Sequence, residues 1–135
     1  MKTAPLTLPD IDDVLALARV NVAESRFGWL PFDEAKVRAN LKRMVEAPQS
    51  YNCALIARKQ DGKLVGYMAG QIEEYFFCRE RVATSVFLFV DPEERGGFAA
   101  VKLILAFRKW AQNRGAVEIY IGVAGGVTME RTGRF

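Results

Sequence analysis

The sequence contains no histidine, and this absence removes several kinds of chemistry at once. Histidine is the usual general base near neutral pH, the commonest zinc ligand and the activating partner in Ser-His and Cys-His nucleophile pairs. Acid–base chemistry in this chain therefore depends on carboxylates, tyrosine, cysteine, lysine, bound water or the substrate itself.

Cysteine is scarce, with only Cys53 and Cys78 in the chain. Two cysteines are too few for a disulfide framework, and their spacing is not that of metal ligands. We expect two thiols without a joint function and no metal site.

Long apolar runs are also missing. No stretch reaches the roughly 20 apolar residues of a membrane span, and the N-terminal sequence MKTAPLTLPD lacks the apolar segment of a secretory signal. We therefore predict a cytoplasmic protein without a membrane partner. The length of 135 residues predicts a single domain over residues 1–135.

The net charge is mildly positive, at +3, and the basic residues are scattered along the chain. Such an excess suits an anionic ligand, whereas nucleic-acid binding usually needs a concentrated basic face. We rank nucleic-acid binding below the hypotheses that follow.

Residues 85–115, SVFLFVDPEERGGFAAVKLILAFRKWAQNRG, are the most informative stretch. An apolar run over residues 85–90 predicts a strand covered on both faces. After a turn with Gly96 and Gly97, apolar residues recur at helical spacing as far as Gly115, the predicted C-terminal cap. The first N–H groups of such a helix can bind phosphate oxygens. The alternative is an ordinary strand-to-helix connection whose glycines only permit a tight turn.

The rest of the chain predicts a mixed α/β order. The expected elements are a strand over residues 3–8, a helix started by Asp10, a helix capped by Asp33 and running to Glu46, strands over residues 53–57 and 64–72 joined by an Asp61-Gly62 turn, a strand over residues 82–90, the helix from Phe98 to Gly115 and a half-buried strand over residues 117–123. Thr128 is a cap candidate for a last helix in the tail.

This order, β-α-α-β-β-β-α-β, resembles the GNAT superfamily of acetyl-CoA-dependent N-acetyltransferases over nearly the whole chain. The family's turn carries the pattern R/Q-x-x-G-x-G/A, which is matched here at Arg95 and Ala100 and broken at Phe98. The flanking sequences FVDPEERGG and RKWAQNRGAVEIYIGV look like those of short GNAT-like proteins from bacteria and tailed phages. The resemblance implies the GNAT fold, a mixed α/β sheet, with a truncated C-terminal end.

The resemblance also implies a site for acetyl-CoA as the acyl donor. The main chain of residues 87–90, including Phe89 and Val90, would bind the pantetheine arm in a splay between the fourth and fifth strands. The pyrophosphate would lie on the turn, and the implied residues are Arg95, Gly96, Gly97, Phe98, Ala99 and Ala100. A ring at Phe98 either narrows this site or points away while its backbone N–H still serves.

Family members let an amine attack the thioester directly, which requires a base for the amine and a proton for the thiolate. Glu73 and Glu74 follow the third strand, and since neighbours on a strand point to opposite faces, at most one faces the site. The alternative is that both are solvated surface carboxylates. Tyr120 is either a proton donor or a packing residue. Aromatic candidates for the wall of the amine pocket are Phe27, Trp29, Tyr75 and Phe76, unless they belong to the core.

By this alignment the family's tyrosine position falls beyond Phe135, and residues 130–135 look like the start of the helix that would carry it. The edge of the fifth strand would then be uncovered and would invite a partner chain or a second copy. Two hypotheses follow: an N-acetyltransferase acting on a small-molecule or peptide amine, and a non-catalytic GNAT-like accessory module, phage-encoded or virion-associated, that assembles through this edge.

Overall fold

The computed structural model describes residues 1–47, 51–122 and 129–134, with Gly122 and residues 129–134 described by their backbone. The elements in chain order are β1 Lys2–Pro5, α1 Ile11–Glu24, α2 Glu34–Glu46, β2 Asn52–Arg58, β3 Leu64–Glu74, β4 Arg81–Val90, α3 Ala99–Asn113, β5 Ala116–Gly122 and β6 Met129–Arg134. As far as β5 this is the predicted order, and the mixed α/β fold class is confirmed. β1 ends at Pro5, three residues earlier than expected.

The six strands form one sheet in sequence order. Neighbouring strands are antiparallel except β4 and β5, which are parallel and are connected by α3. The two faces of the sheet bury separate apolar clusters. On one face the fully buried Leu103 and Phe107 of α3 pack on the strands, and on the other α1 and α2 contribute Val14 and Leu41. We name these the α3 face and the α1/α2 face.

Local signals at the helix ends agree with their positions. Oδ1 of Asp33 accepts the N–H of Lys36 at 3.0 Å, so Asp33 caps α2 as predicted. Gly115 follows α3 with φ of +81°, a conformation that glycine adopts without strain. Asp10 precedes α1 as predicted, but its carboxylate turns back to the N–H and hydroxyl of Thr7 instead of capping α1.

The expectation of a helix in the tail was wrong. Residues Met129–Arg134 form β6, which pairs antiparallel with β5 from Glu118↔Arg134 to Gly122↔Met129. The edge of β5 is therefore covered within the chain, and the expected uncovered edge was wrong as well. Val123 and Thr128, the predicted strand end and helix cap, lie outside the described residues. Within the described residues, no helix combines the length and apolarity needed to cross a bilayer.

Burial on β4 and β5 also departs from the predicted pattern. Val86 and Phe87 in β4 are each 50% exposed, so this strand is not covered on both faces. Glu118 in β5 was expected to face outward between Val117 and Ile119, yet it is only 8% exposed. Both departures lie where β4 and β5 meet the α1/α2 face.

Candidate active site

The sheet opens between β4 and β5. Their parallel pairing runs from Arg81↔Ala116 to Thr84↔Tyr120 and stops there. Beyond Thr84, β4 continues to Val90 paired with β3, while β5 continues to Gly122 paired with β6. Within the described part of the chain, the main chain of residues 86–89 therefore has no β5 partner along one edge.

A β-bulge lies at the start of this opening. Ala69 pairs with Phe87, but the next residue, Gly70, pairs with Ser85, so Val86 is an extra residue in β4. Such a bulge bends the strand and leaves one residue out of the ladder. Gly70 also allows close packing here, because a Cβ on it would lie 2.5 Å from the ring of Phe107. The bulge accounts for the exposure of Val86 and Phe87.

One cavity, of about 500 Å³, lies beside the turn between β4 and α3. We call it the turn cavity. Its lining combines residues from the end of α1, from β4 and from the turn: Asn21, Glu24, Ser25, Arg26, Leu88, Val90, Glu94, Arg95, Gly96, Gly97 and Ala100. Five of the eight predicted cofactor-binding residues are in this set, namely Val90, Arg95, Gly96, Gly97 and Ala100.

A hydrogen-bond network crosses the turn cavity. The guanidinium of Arg95 donates to Oδ1 of Asn21 at 3.2 Å, to the carboxylate of Glu24 and to the carbonyl of Val90 at 3.5 Å. Asn21 is only 5% exposed, and its amide donates to the carbonyl of Leu17 at 3.0 Å. Its Oδ1 also accepts the N–H of Val90, at 3.4 Å. Asn21 therefore fixes α1, the end of β4 and Arg95 relative to one another.

The N-terminus of α3 meets the turn. The first intrahelical bond runs from the N–H of Lys102 to the carbonyl of Phe98, so the N–H groups of the residues before Lys102 have no helical acceptor. Together with Arg95 these donors suit phosphate oxygens. Phe98 is 73% exposed and does not line the turn cavity, whereas Ala99 is buried under α3. The ring of Phe98 therefore points out of the turn cavity.

A second cavity, of about 490 Å³, lies between the two N-terminal helices and the sheet. We call it the helix cavity. Its lining is mainly apolar and includes the bulge: Val14, Ala18, Val22, Phe32, Val37, Asn40, Leu41, Arg43, Met44, Ala47, Asn52, Tyr67, Ala69, Gly70, Gln71, Val86, Phe87 and Phe89. Phe89, a predicted cofactor-binding residue, belongs to this cavity and packs on Tyr67. The bulge therefore forms part of its wall.

The four aromatic residues predicted to form the wall of the amine pocket are not among the described residues that line the helix cavity. Phe27 and Trp29 lie in the connection between α1 and α2, where both are exposed, and Phe27 is covered by the guanidinium of Arg26. Phe76 is fully exposed in the connection between β3 and β4. None of these three lines the helix cavity, which receives Phe32 instead.

The acid–base candidates fall on both faces of the sheet. Across β3, β4 and β5, Gln71, Thr84 and Tyr120 form one row of register partners. Glu73, Val82 and Glu118 form the next row on the same face. Because Gln71 lines the helix cavity, this is the α1/α2 face. Glu74 pairs with Arg81, one position along, and so lies on the α3 face, away from the bulge.

Glu118 is an acidic residue that the sequence pattern missed. The hydroxyl of Tyr75, in the β3–β4 connection, donates a hydrogen bond to its Oε1. Burial and this bond raise the pKa of Tyr75 to about 12. Tyr75 is therefore a neutral donor at physiological pH, and Glu118, Glu73 and Tyr120 share the face on which the bulge is exposed.

Sequence signals existed for some of the missed residues. Asn21 stands four residues after Leu17 and seven after Val14, on the apolar stripe of α1, and a polar side chain on such a stripe needs a buried partner. Glu118 had no such signal, because alternation places it on the outward face, and its pairing with β4 and its contact with Tyr75 are long-range.

Comparison with protein families decides what kind of protein this is. Residues 16–128 match the model of the acetyltransferase (GNAT) family, and this range contains the turn cavity and strands β2 to β5. The chain belongs to the GNAT acetyltransferase family. GNAT proteins use acetyl-CoA, and family membership supports an N-acetyltransferase activity in general terms.

Solved GNAT-like structures share the fold at low sequence identity. A mutant of the BH1408 protein from Bacillus halodurans superposes with a TM-score of 0.77 at 16% identity, covering 91% of this chain and 82% of that chain. The AAC(6')-Iy protein in complex with the bisubstrate analog CoA-S-monomethyl-acetylneamine gives 0.72 at 19% identity, covering 90% and 78%. The ribosomal-protein-alanine N-acetyltransferase from Brucella melitensis gives 0.69 at 22% identity, covering 90% and 80%. No curated protein matches by sequence.

Proposed function

We propose that this GNAT protein transfers the acetyl group of acetyl-CoA to a primary amine by direct attack of the amine on the thioester. The observation that carries the proposal is the opening between β4 and β5, which leaves the main chain of residues 86–89 without a β5 partner among the described residues and lies beside two cavities of different chemistry. The turn cavity offers cationic and backbone donors, and the helix cavity is mainly apolar.

The turn cavity fits the cofactor's phosphates. Arg26 and Arg95 supply guanidinium groups, and the N–H groups at the start of α3 are available beside Gly96 and Gly97. Gly96 adopts φ of +87°, which turns the chain sharply before the helix. Acetyl-CoA would supply the activated thioester. Leu88 and Val90, which line the same cavity, would hold the pantetheine arm against the free edge of β4.

The amine would approach from the α1/α2 face. Its nitrogen bonds to the acetyl carbon as the carbon–sulfur bond breaks, so the amine loses one proton and the thiolate gains one. A backbone N–H at the bulge of Val86 would polarise the carbonyl. We assign proton acceptance to Glu73 or Glu118, directly or through water, with Tyr120 between them and the bulge.

Binding of acetyl-CoA is tested by calorimetry with a matched pair of variants. Gly97→Glu puts bulk and negative charge into the turn cavity and should abolish binding, whereas Gln112→Glu adds the same charge at the far end of α3 and should not. Thermal melting confirms that both variants fold. Absence of binding heat with the native chain at millimolar acetyl-CoA would contradict the proposal and favour the non-catalytic alternative.

Turnover is tested by thiol release from acetyl-CoA in the presence of an amine. Glu73→Gln or Glu118→Gln should lower kcat by about 10²-fold, the ordinary contribution of general base catalysis. Glu74→Gln, its matched control on the α3 face, should leave kcat near the native value. A loss confined to Glu74→Gln would show that the reacting face has been assigned to the wrong side of the sheet.

A further inference from the structure

The helix cavity has two chemically different ends. Val14, Leu41, Tyr67 and Phe89 line an apolar end against the middle of the sheet. Burial raises the pKa of Tyr67, so its hydroxyl stays neutral there. The other end carries the polar side chains Arg43, Asn52 and Gln71, together with Asn40.

The polar end is the end nearest the bulge. Asn52 and Gln71 are register partners in β2 and β3, and Gln71 pairs with Thr84 in β4, two positions before the extra residue Val86. Arg43 and Ala47, from the last turn of α2 and its cap, line the cavity beside Asn52. An acceptor whose amine reaches the bulge therefore has its neighbouring groups beside these polar side chains.

The charge of the lining restricts the acceptor. Among the described residues that line the helix cavity, Arg43 is charged and none is acidic. The carboxylate of Glu73, which accepts a hydrogen bond from the amide of Gln71, lies next to this lining. A polyamine or an aminosugar would bring several positive charges close to the guanidinium of Arg43, which repels them. A guanidinium instead matches a carboxylate, which it binds with two parallel hydrogen bonds. Arg43 at present donates to the side chain of Asn40, on the same wall.

We propose that the acceptor is a free α-amino acid with an apolar side chain. Its amine lies at the bulge, its carboxylate is bound by Arg43 with Asn52, and its side chain fills the apolar end between the helices and the sheet. The inference rests on the proposed acetyl transfer for its chemistry, but the binding of the amino acid is measurable without acetyl-CoA.

Calorimetry with L-phenylalanine and 2-phenylethylamine separates the carboxylate from the rest of the molecule. L-Phenylalanine should bind more tightly than its decarboxylated analog. In Arg43→Gln the Kd for L-phenylalanine should rise by about tenfold or more, as expected for loss of a charge-assisted hydrogen bond. The same variant should leave the Kd for 2-phenylethylamine unchanged. Lys42→Gln removes a neighbouring cation of α2 that is outside the cavity lining, and it should change neither of these two Kd values.

A second variant tests the apolar end. Val37 is partly buried on α2 and lines the cavity, so Val37→Phe puts a ring into the space assigned to the side chain. Its KM for L-phenylalanine should rise severalfold more than its KM for L-alanine, while acetyl-CoA binding stays native. Equal effects on both amino acids would overturn the placement of the side chain.

The outcomes distinguish this inference from the proposed function. If acetyl-CoA binds and spermidine is acetylated with a higher kcat/KM than L-phenylalanine, the acceptor class is wrong and the transferase stands. If L-phenylalanine binds with the predicted dependence on Arg43 but acetyl-CoA does not bind, the amino-acid site stands and the transferase fails. Equal binding of L-phenylalanine and 2-phenylethylamine would overturn the role of Arg43.

Discussion

The side chain of Asn21 holds Arg95 in place: its Oδ1 accepts a hydrogen bond from the Arg95 guanidinium at 3.2 Å while it also accepts the N–H of Val90 at 3.4 Å. Arg95 is the first residue of the family's turn pattern and Val90 is the last residue of β4. One buried amide on α1 thus sets the position of a candidate phosphate ligand relative to the free edge of β4.

Replacing Asn21 should therefore weaken acetyl-CoA binding without a direct contact to the cofactor. In Asn21→Ala the guanidinium of Arg95 loses one of its partners, and we expect the Kd for acetyl-CoA to rise by about tenfold, the value of one hydrogen bond to a charged group. Isothermal titration measures this. Asn113→Ala, at the exposed end of α3, is the control and should bind normally. Unchanged affinity in Asn21→Ala would show that Arg95 needs no support from α1.

Glu24 should oppose the binding of acetyl-CoA in the turn cavity. Its carboxylate pairs with Arg95 and lines the turn cavity, where it repels phosphate and occupies a candidate phosphate ligand. Glu24→Gln should tighten acetyl-CoA binding severalfold at low salt, and the gain should shrink as added salt screens the charge. Glu46→Gln, an exposed carboxylate at the end of α2, should leave the Kd unchanged. Weaker binding in Glu24→Gln would mean that the ion pair positions Arg95 for the cofactor.

The sequence was sufficient to predict the turn and its neighbours because the signals there are local. Gly96 and Gly97, the apolar period of α3 and the cap at Gly115 each depend on residues close in the chain, and the structure has the strand, turn and helix as predicted. The N-cap at Asp33 was predictable for the same reason.

The missed features depend on pairing between distant residues. The bulge at Val86 is set by the register of β4 against β3, and Glu118 is buried because β5 pairs with β4 and Tyr75 reaches it. Residues 130–134 carry no strong strand pattern, and their conformation as β6 follows from the edge that β5 offers. Local propensity contains none of these long-range pairings.

The pairing of Tyr75 with Glu118 predicts an unusual alkaline titration. Burial and the bond to Glu118 raise the pKa of Tyr75 from its ordinary 10.0 to about 12. Because the folded state holds this proton more tightly, the associated stabilisation is complete below pH 10.0 and is lost as the pH rises through about 12. In an ultraviolet absorbance titration, Tyr75→Phe should remove one late-ionising tyrosine.

Replacing the acceptor of that bond should move the same titration. In Glu118→Gln the pKa of Tyr75 should fall toward 10.0, because the tyrosine loses the negative charge of Glu118 and its hydrogen bond to that carboxylate. Glu80→Gln, in the β3–β4 connection, changes a carboxylate that the tyrosine hydroxyl does not contact and should leave the titration as it was. An unchanged titration in Glu118→Gln would assign the shift to burial alone.

Asp10 connects the start of α1 to the sheet and makes the free energy of unfolding depend on pH in the acid range. Burial acts to raise the pKa of Asp10, but hydrogen bonds from Thr7 and the ion pair with Arg58 at 2.8 Å outweigh it, so the pKa lies below its ordinary value of 3.8. The lowered pKa means that the folded state favours the charged carboxylate. Its stabilisation is present above pH 3.8 and is lost as the pH falls through the folded-state pKa.

Asp10→Asn should therefore lower the free energy of unfolding by about 1–3 kcal/mol at neutral pH, the cost of leaving the partners of a part-buried charge unsatisfied. The difference from the native chain should shrink in acid, where the native carboxylate is itself protonated. Urea unfolding followed by circular dichroism at several pH values measures both quantities. Asp12→Asn removes an exposed pair with Arg38 and should cost less than about 1 kcal/mol. A constant difference across the acid range would show that Asp10 acts through its shape and hydrogen bonds and that its charge contributes nothing.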